Sequence, residues 1–181
     1  GGGALHVGPH VVSETREFAH AVLTALLGAV AWAVGGLLSL FALLQVISLA
    51  FAAFGVSTTQ HSTTQAAQSE PSLLLPLVPL SLLVIGPGEE LLYRNVIQKY
   101  LAERFSPPVA IGVASAVFAL AHVPAYFTAG IGPLVVTLSL LFLISAVWGV
   151  IFARTGSLFI VAGIHGLYNA ILVLGLYLTV T

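Results

Sequence analysis

The chain has 181 residues, 59% of them hydrophobic and 6% charged, with a mean hydropathy of +1.09. An ordinary soluble domain carries about 25% charged residues, so this composition specifies a polytopic membrane protein. A net charge of −1 gives no basis for a nucleic-acid partner, and the absence of cysteine removes both a disulfide framework and any thiolate nucleophile or ligand.

The opening GGGALHVGPH and the lack of methionine mark residues 1–17 as an N-terminal segment that is in part a trimmed or non-native end, set aside from fold reasoning. Residues 18–181 read as one transmembrane helical domain, with the functional core at about residues 71–178. A bilayer crossing takes about 20 helical residues. The first apolar block, Phe18 to Val56, is nearly twice that length. It forms either one long tilted helix or two short segments broken near Gly35 and Gly36. The polar stretch STTQHSTTQAAQSE, Ser57 to Glu70, is expected to be an aqueous loop. The second block, Pro71 to Ile85, leads into Gly86-Pro87-Gly88, where proline is expected to kink or restart the helix before a more polar continuation to Arg104. The third begins at Pro107-Pro108, first-turn prolines, and runs to about Tyr126. The fourth covers Leu134 to Phe152 and the fifth Ser157 to about Leu178. The expected fold is therefore an all-α, multipass transmembrane helical bundle of about five spans, or six if the first block breaks.

The basic residues orient this layout. With the first block as one span, Arg16, Arg94, Lys99, Arg104 and Arg154 all fall on one side, while the opposite loops contain no lysine or arginine. The positive-inside rule then puts the amino terminus in the cytoplasm and the carboxyl terminus outside. The expected location is an integral membrane protein, in the plasma membrane if the source is prokaryotic.

Charged groups inside a span cost at least about 2.5 kcal/mol each, so they need partners or a task. Gln45 reads as a helix-packing or snorkelling residue, and the rest fall into three clusters. Glu89 and Glu90 are adjacent and point about 100° apart on a helix, while Glu90 and Arg94 at i,i+4 can pair. That leaves Glu89 free to face a cavity. His122 follows Phe118 by one turn, and the phenyl ring is placed to wall in the imidazole. His165 and Asn169 sit four apart and share a helical face. Each cluster alone has a plain structural reading: an interfacial charged turn, a helix-bridging histidine, interhelical glue. Together they supply a carboxylate and a histidine to activate water, and a histidine with an amide to stabilise an oxyanion. Those are the parts of peptide hydrolysis without a metal.

E-E-x-x-x-R at Glu89, Glu90 and Arg94, F-x-x-x-H at Phe118 and His122, and H-x-x-x-N at His165 and Asn169 resemble, in order and spacing, the three signature motifs of the CAAX protease and bacteriocin-processing family. This is also called the ABI family of glutamic intramembrane proteases and includes the CAAX prenyl endopeptidases. The resemblance covers about Pro71 to Asn169. It implies that Glu89 activates water, that His122 binds the same water, and that His165 and Asn169 form the oxyanion hole. Glu90, Arg94 and Phe118 are then supporting residues. It further implies no cofactor and no metal, and a conical cavity open to membrane and cytosol. The implied partners are membrane lipids and a peptide or protein with a hydrophobic or lipidated tail, including prenylated CAAX-type ends. Depth is a difficulty: at about 1.5 Å per residue, His165 lies roughly 12 Å into its span but His122 roughly 22 Å from Pro107. Three alternatives stay open: a zinc-dependent membrane protease using the histidines and a glutamate, a transporter with a midplane polar site, and a catalytically idle immunity scaffold. Substrate identity and oligomeric state are not legible.

Overall fold

The computed structural model describes residues 9–67 and 69–181, with side-chain surroundings from residue 14 onward. Of the N-terminal segment set aside above, residues 1–17, the first eight lie outside the described residues, and residues 9–17 are the start of α1. Among the described residues there are helices and no strands. They are numbered here α1 (Pro9–Phe54), α2 (Ser62–Ala67), α3 (Pro71–Ala102), α4 (Pro107–Ala121), α5 (Val123–Tyr126), α6 (Ile131–Thr155) and α7 (Leu158–Val180).

The first apolar block is a single helix of 46 residues, about 69 Å long at 1.5 Å per residue and more than twice the hydrocarbon thickness of about 30 Å. It passes through Gly35 and Gly36 unbroken. A helix-interior glycine costs only about 1 kcal/mol, whereas an open backbone in lipid leaves polar groups unsatisfied. Gly36 has a packing role: a Cβ there would lie 2.8 Å from Ile164 Cδ1 and 3.1 Å from Ile151 Cδ1. This is where α1 approaches α6 and α7, with Leu40 fully buried one turn later. Gln45 lies on the exposed side of α1.

Gly86-Pro87-Gly88 does not break α3. The helix widens into π turns on both sides, over Ser81–Ile85 and Leu91–Gln98, and the Gly86 N–H reaches Ser81 O, five residues back. A wider turn accommodates the proline ring without opening the backbone to lipid. Gly86 matters through packing, because a Cβ on it would meet Gly166 N at 2.7 Å and Gly166 Cα at 2.8 Å. Helices α3 and α7 therefore touch backbone to backbone at this point, as small residues permit in membrane bundles.

The third block also differs from expectation. Helix α4 has 15 residues, about 22 Å, and ends at Ala121 with His122 as its C-cap, after which Val123-Pro124 opens the short α5. The residue before a proline is disfavoured in helical geometry, so Val123-Pro124 stops α4 early. Four helices, α1, α3, α6 and α7, are long and apolar enough to cross a membrane, and α4 is the shorter fifth. Helix α6 ends in a left-handed Gly156 whose N–H bonds Phe152 O, and Ser157 caps α7 by accepting from Ile160 N.

The stretch expected as an aqueous loop is an ordered cap. Thr59 N donates to Thr137 Oγ1 at 2.9 Å, Thr128 Oγ1 donates to Gln60 O at 2.8 Å, and Ala67 is fully buried. Polar side chains here replace apolar packing with hydrogen bonds to α6 and to the turn after α5. The core beneath joins Leu40, Tyr93, Phe118, Trp148, Ile164 and Tyr168.

Candidate active site

Helix α3 delivers both glutamates, and its helical rotation gives them different surroundings. Glu90 is fully buried. Its Oε2 accepts from Arg94 Nε at 2.8 Å and its Oε1 from Arg94 Nη2 at 3.4 Å, and neither side chain is exposed to any extent. Arg94 Nη2 also donates to Ser145 Oγ on α6 at 2.9 Å. Arg94 is thus no flanking cation, which corrects the topology argument and leaves Arg16, Lys99, Arg104 and Arg154 to carry it. A charge pair this deep is costly unless further hydrogen bonds satisfy its remaining positions; Ser145 takes one, while Arg94 Nη1 is buried without a hydrogen-bond partner.

Histidine 165 fills another of these positions. Its Nδ1 lies 2.8 Å from Glu90 Oε1. A carboxylate paired with arginine can only accept, so Nδ1 carries the proton. The ring, 2% exposed, is stacked on Trp148 with centroids 3.8 Å apart and planes 22° apart. Its plane and tautomer are therefore both set from the protein side, leaving Nε2 to face Glu89 Oε2 at 3.5 Å.

Glu89 is 29% exposed and faces a cavity of about 310 Å³. His122, at the end of α4, presents Nε2 at 4.0 Å from Glu89 Oε1. Its Nδ1 is 2.8 Å from Phe118 O; a carbonyl can only accept, so Nδ1 carries the proton and Nε2 of the neutral ring offers a lone pair. Phe118 lies against the imidazole with centroids 4.4 Å apart. It also meets Tyr93 edge-on at 5.0 Å and sits 5.8 Å from the Arg94 guanidinium carbon. Asn169 lines the same cavity one turn after His165. The expected site residues thus line one cavity, with His122 at the end of α4 within 4.0 Å of Glu89; α4 does start at Pro107, so a later start does not account for the difference in depth. Asn95 is half-buried and does not line the cavity; it accepts from Lys99 Nζ at 3.1 Å.

The 4.0 Å between Glu89 Oε1 and His122 Nε2 is too long for a direct hydrogen bond, and that separation between two acceptors suits a single shared water. Among the described residues, no group of three His, Cys, Asp or Glu side chains is arranged to hold a metal ion. A larger apolar groove of about 680 Å³ lies between α1 and the opposite face of α6, but no ionisable group lines it, so size alone does not identify the site.

Sequence reasoning missed three contributors. Trp148 and Ser145 are three apart on one face of α6, and a tryptophan deep in an apolar span was the available signal. His61 lines the same cavity, and its membership in a polar stretch concealed it. Burial, and secondly the nearby His122, lower its pKa from the ordinary value.

A model of the Rce1-like type II CAAX prenyl endopeptidases matches residues 71–171, more than half of the chain and all three motifs. Comparison with curated proteins and with solved structures gives no match. Matched over that length and across every signature position, the chain belongs to the Rce1-like type II CAAX prenyl endopeptidase family.

Proposed function

We propose that this protein is a glutamic intramembrane endopeptidase that hydrolyses a peptide bond near the membrane, on hydrophobic or prenylated CAAX-type tails. The observation that carries the reading is Glu89, whose carboxylate lies between the Nε2 atoms of His165 and His122 at 3.5 and 4.0 Å, in a cavity also lined by Leu172, Val173 and Leu176 of α7. Water in this gap donates one hydrogen to Glu89 and the other to His122 Nε2, and its oxygen lone pair is free to attack. Attack on the carbonyl carbon forms the C–O bond while Glu89 takes a proton. The oxyanion accepts from the Asn169 amide and from His165 Nε2–H. For that donation the His165 ring carries both protons, with Glu90 accepting from Nδ1. Collapse breaks the C–N bond, and Glu89 returns its proton to the leaving amine.

Two magnitudes apply. General-base help contributes about 10²–10⁴-fold, and one oxyanion donor about 10²–10³-fold. Residues 71–178 constitute the protease core in this reading, and Glu90, Arg94 and Phe118 are positioning residues. The test is cleavage of a farnesylated CAAX peptide by purified protein and by Glu89→Gln, each with and without chelator. Loss of at least about 10²-fold with Glu89→Gln is expected, and chelator is expected to change nothing. Equal cleavage by both proteins removes the Glu89 assignment, and chelator-sensitive activity restored by zinc moves the reading to a metal-dependent hydrolase.

A further inference from the structure

The cavity does not end at the four residues assigned above. The cap contributes His61, Thr63 and Thr64 to its lining, and this part differs chemically from the rest. The Thr63 N–H donates to His61 Nδ1 at 3.1 Å, and because an amide N–H can only donate, that nitrogen is an acceptor and the ring's own proton is on Nε2. His61 packs edge-on against Tyr126 at 5.0 Å, and Tyr126 lies 6.3 Å from His122. The cap is anchored by its hydrogen bonds from Thr59 to Thr137 and to Gln60 from Thr128, so this imidazole is held at a fixed distance from the water-activating pair.

We propose that His61, with the hydroxyls of Thr63 and Thr64, is the recognition site for the free terminal carboxylate of the substrate, and so fixes how far from the carboxyl end the chain is cut. The proposal rests on the endopeptidase reading above and adds the feature of the substrate that sets the cleavage register. Three observations favour it. A terminal carboxylate entering this cavity is repelled from the Glu89 end and needs donors elsewhere. No lysine or arginine lines the cavity, and His61 is the one imidazole there outside the Glu89 pairings. The two ring separations put His61 within about 11 Å of His122, and an extended tripeptide spans about 10 Å. A CAAX-type end has three residues beyond its cysteine, so with the scissile carbonyl at the Glu89–His122 water its carboxylate is within reach of His61.

The experiment compares two prenylated peptides that differ only in a terminal carboxylate or carboxamide, with wild type, His61→Ala and His61→Gln. Wild type is expected to prefer the acid by about tenfold or more in kcat/KM, the effect of one hydrogen bond to a charged group. His61→Ala loses that preference through KM for the acid, and His61→Gln, which keeps a donor, recovers part of it. A folding defect lowers cleavage of both peptides together and leaves the ratio standing, which overturns the proposal as surely as an unchanged ratio in a well-folded variant does. Cleavage of both peptides by wild type without preference overturns it and leaves the endopeptidase reading intact. Failure of wild type to cleave either peptide removes both.

Discussion

Adjacent glutamates on one helix are expected to fail in opposite ways when each is changed to glutamine. Glu90 has no exposed surface and accepts at 2.8 Å from Arg94 Nε, at 3.4 Å from Arg94 Nη2 and at 2.8 Å from His165 Nδ1. Glutamine keeps the shape and one acceptor oxygen but leaves the Arg94 guanidinium buried without a counter-charge. Breaking one side of a buried pair costs about 3–5 kcal/mol. At about 2–4 °C per kcal/mol for a chain of this size, Glu90→Gln lowers Tm by roughly 6–20 °C. Glu89 is 29% exposed, and its nearest charged-group contacts are 3.5 and 4.0 Å away. Solvent screening keeps the loss for Glu89→Gln below about 1 kcal/mol, while activity falls by about 10²–10⁴-fold. Thermal unfolding in one detergent, read alongside peptide cleavage, checks both. A Glu90→Gln protein that melts with wild type and cleaves normally refutes the division of labour, as does a Glu89→Gln protein that melts far below it.

Three further outcomes follow from the geometry. Gly166→Ala places a Cβ 2.8 Å from Ser81 O and 3.0 Å from Leu82 Cα; forcing α3 and α7 apart costs about 1–3 kcal/mol. A shift of about 1 Å between Glu89 and His165 costs about 10²-fold in kcat, so unfolding and kcat measured together should both move. Asn169→Ala is expected to lower kcat by about 10²–10³-fold with KM little changed, and an effect confined to KM contradicts an oxyanion role. In this cysteine-free chain, Ser57→Cys and Ser106→Cys, both exposed, report sidedness to a membrane-impermeant thiol reagent. Labelling of Ser57→Cys from outside and of Ser106→Cys only after permeabilisation is expected from the cations at Arg16, Lys99, Arg104 and Arg154, and the reverse pattern overturns that orientation.

Much of the bundle was legible because lipid permits few solutions. Apolar length and the need to satisfy every backbone group internally specify helices at all five blocks without knowledge of their partners. The i,i+4 relation of Glu90 and Arg94, and of His165 and Asn169, was equally legible, since it needs only helical rotation. What periodicity does not encode is how two helices approach each other. Gly86 read as a breaker because proline follows it, yet its role is set by Gly166, which lies 80 residues later and touches it across the α3–α7 contact. The cap was misread for a similar reason. STTQHSTTQ is polar enough to be solvated, but its hydrogen bonds run to Thr137 and from Thr128, and no local rule names those partners.

The pair of glutamates shows the limit most clearly. From sequence, Glu90 needs only Arg94, and neutralisation completes its account. In three dimensions the same carboxylate also accepts from His165 Nδ1, so it fixes which nitrogen of His165 holds a proton and aims the other at Glu89. One buried carboxylate thereby links the ion pair that stabilises α3 to the imidazole that faces the cavity, while Trp148 fixes the ring plane from α6. Glu89, one residue earlier, escapes that network because a rotation of about 100° per residue turns it to the cavity. Adjacency in the motif therefore serves to place one carboxylate inside the fold and one at the cavity, a requirement that a single residue of insertion between them would break.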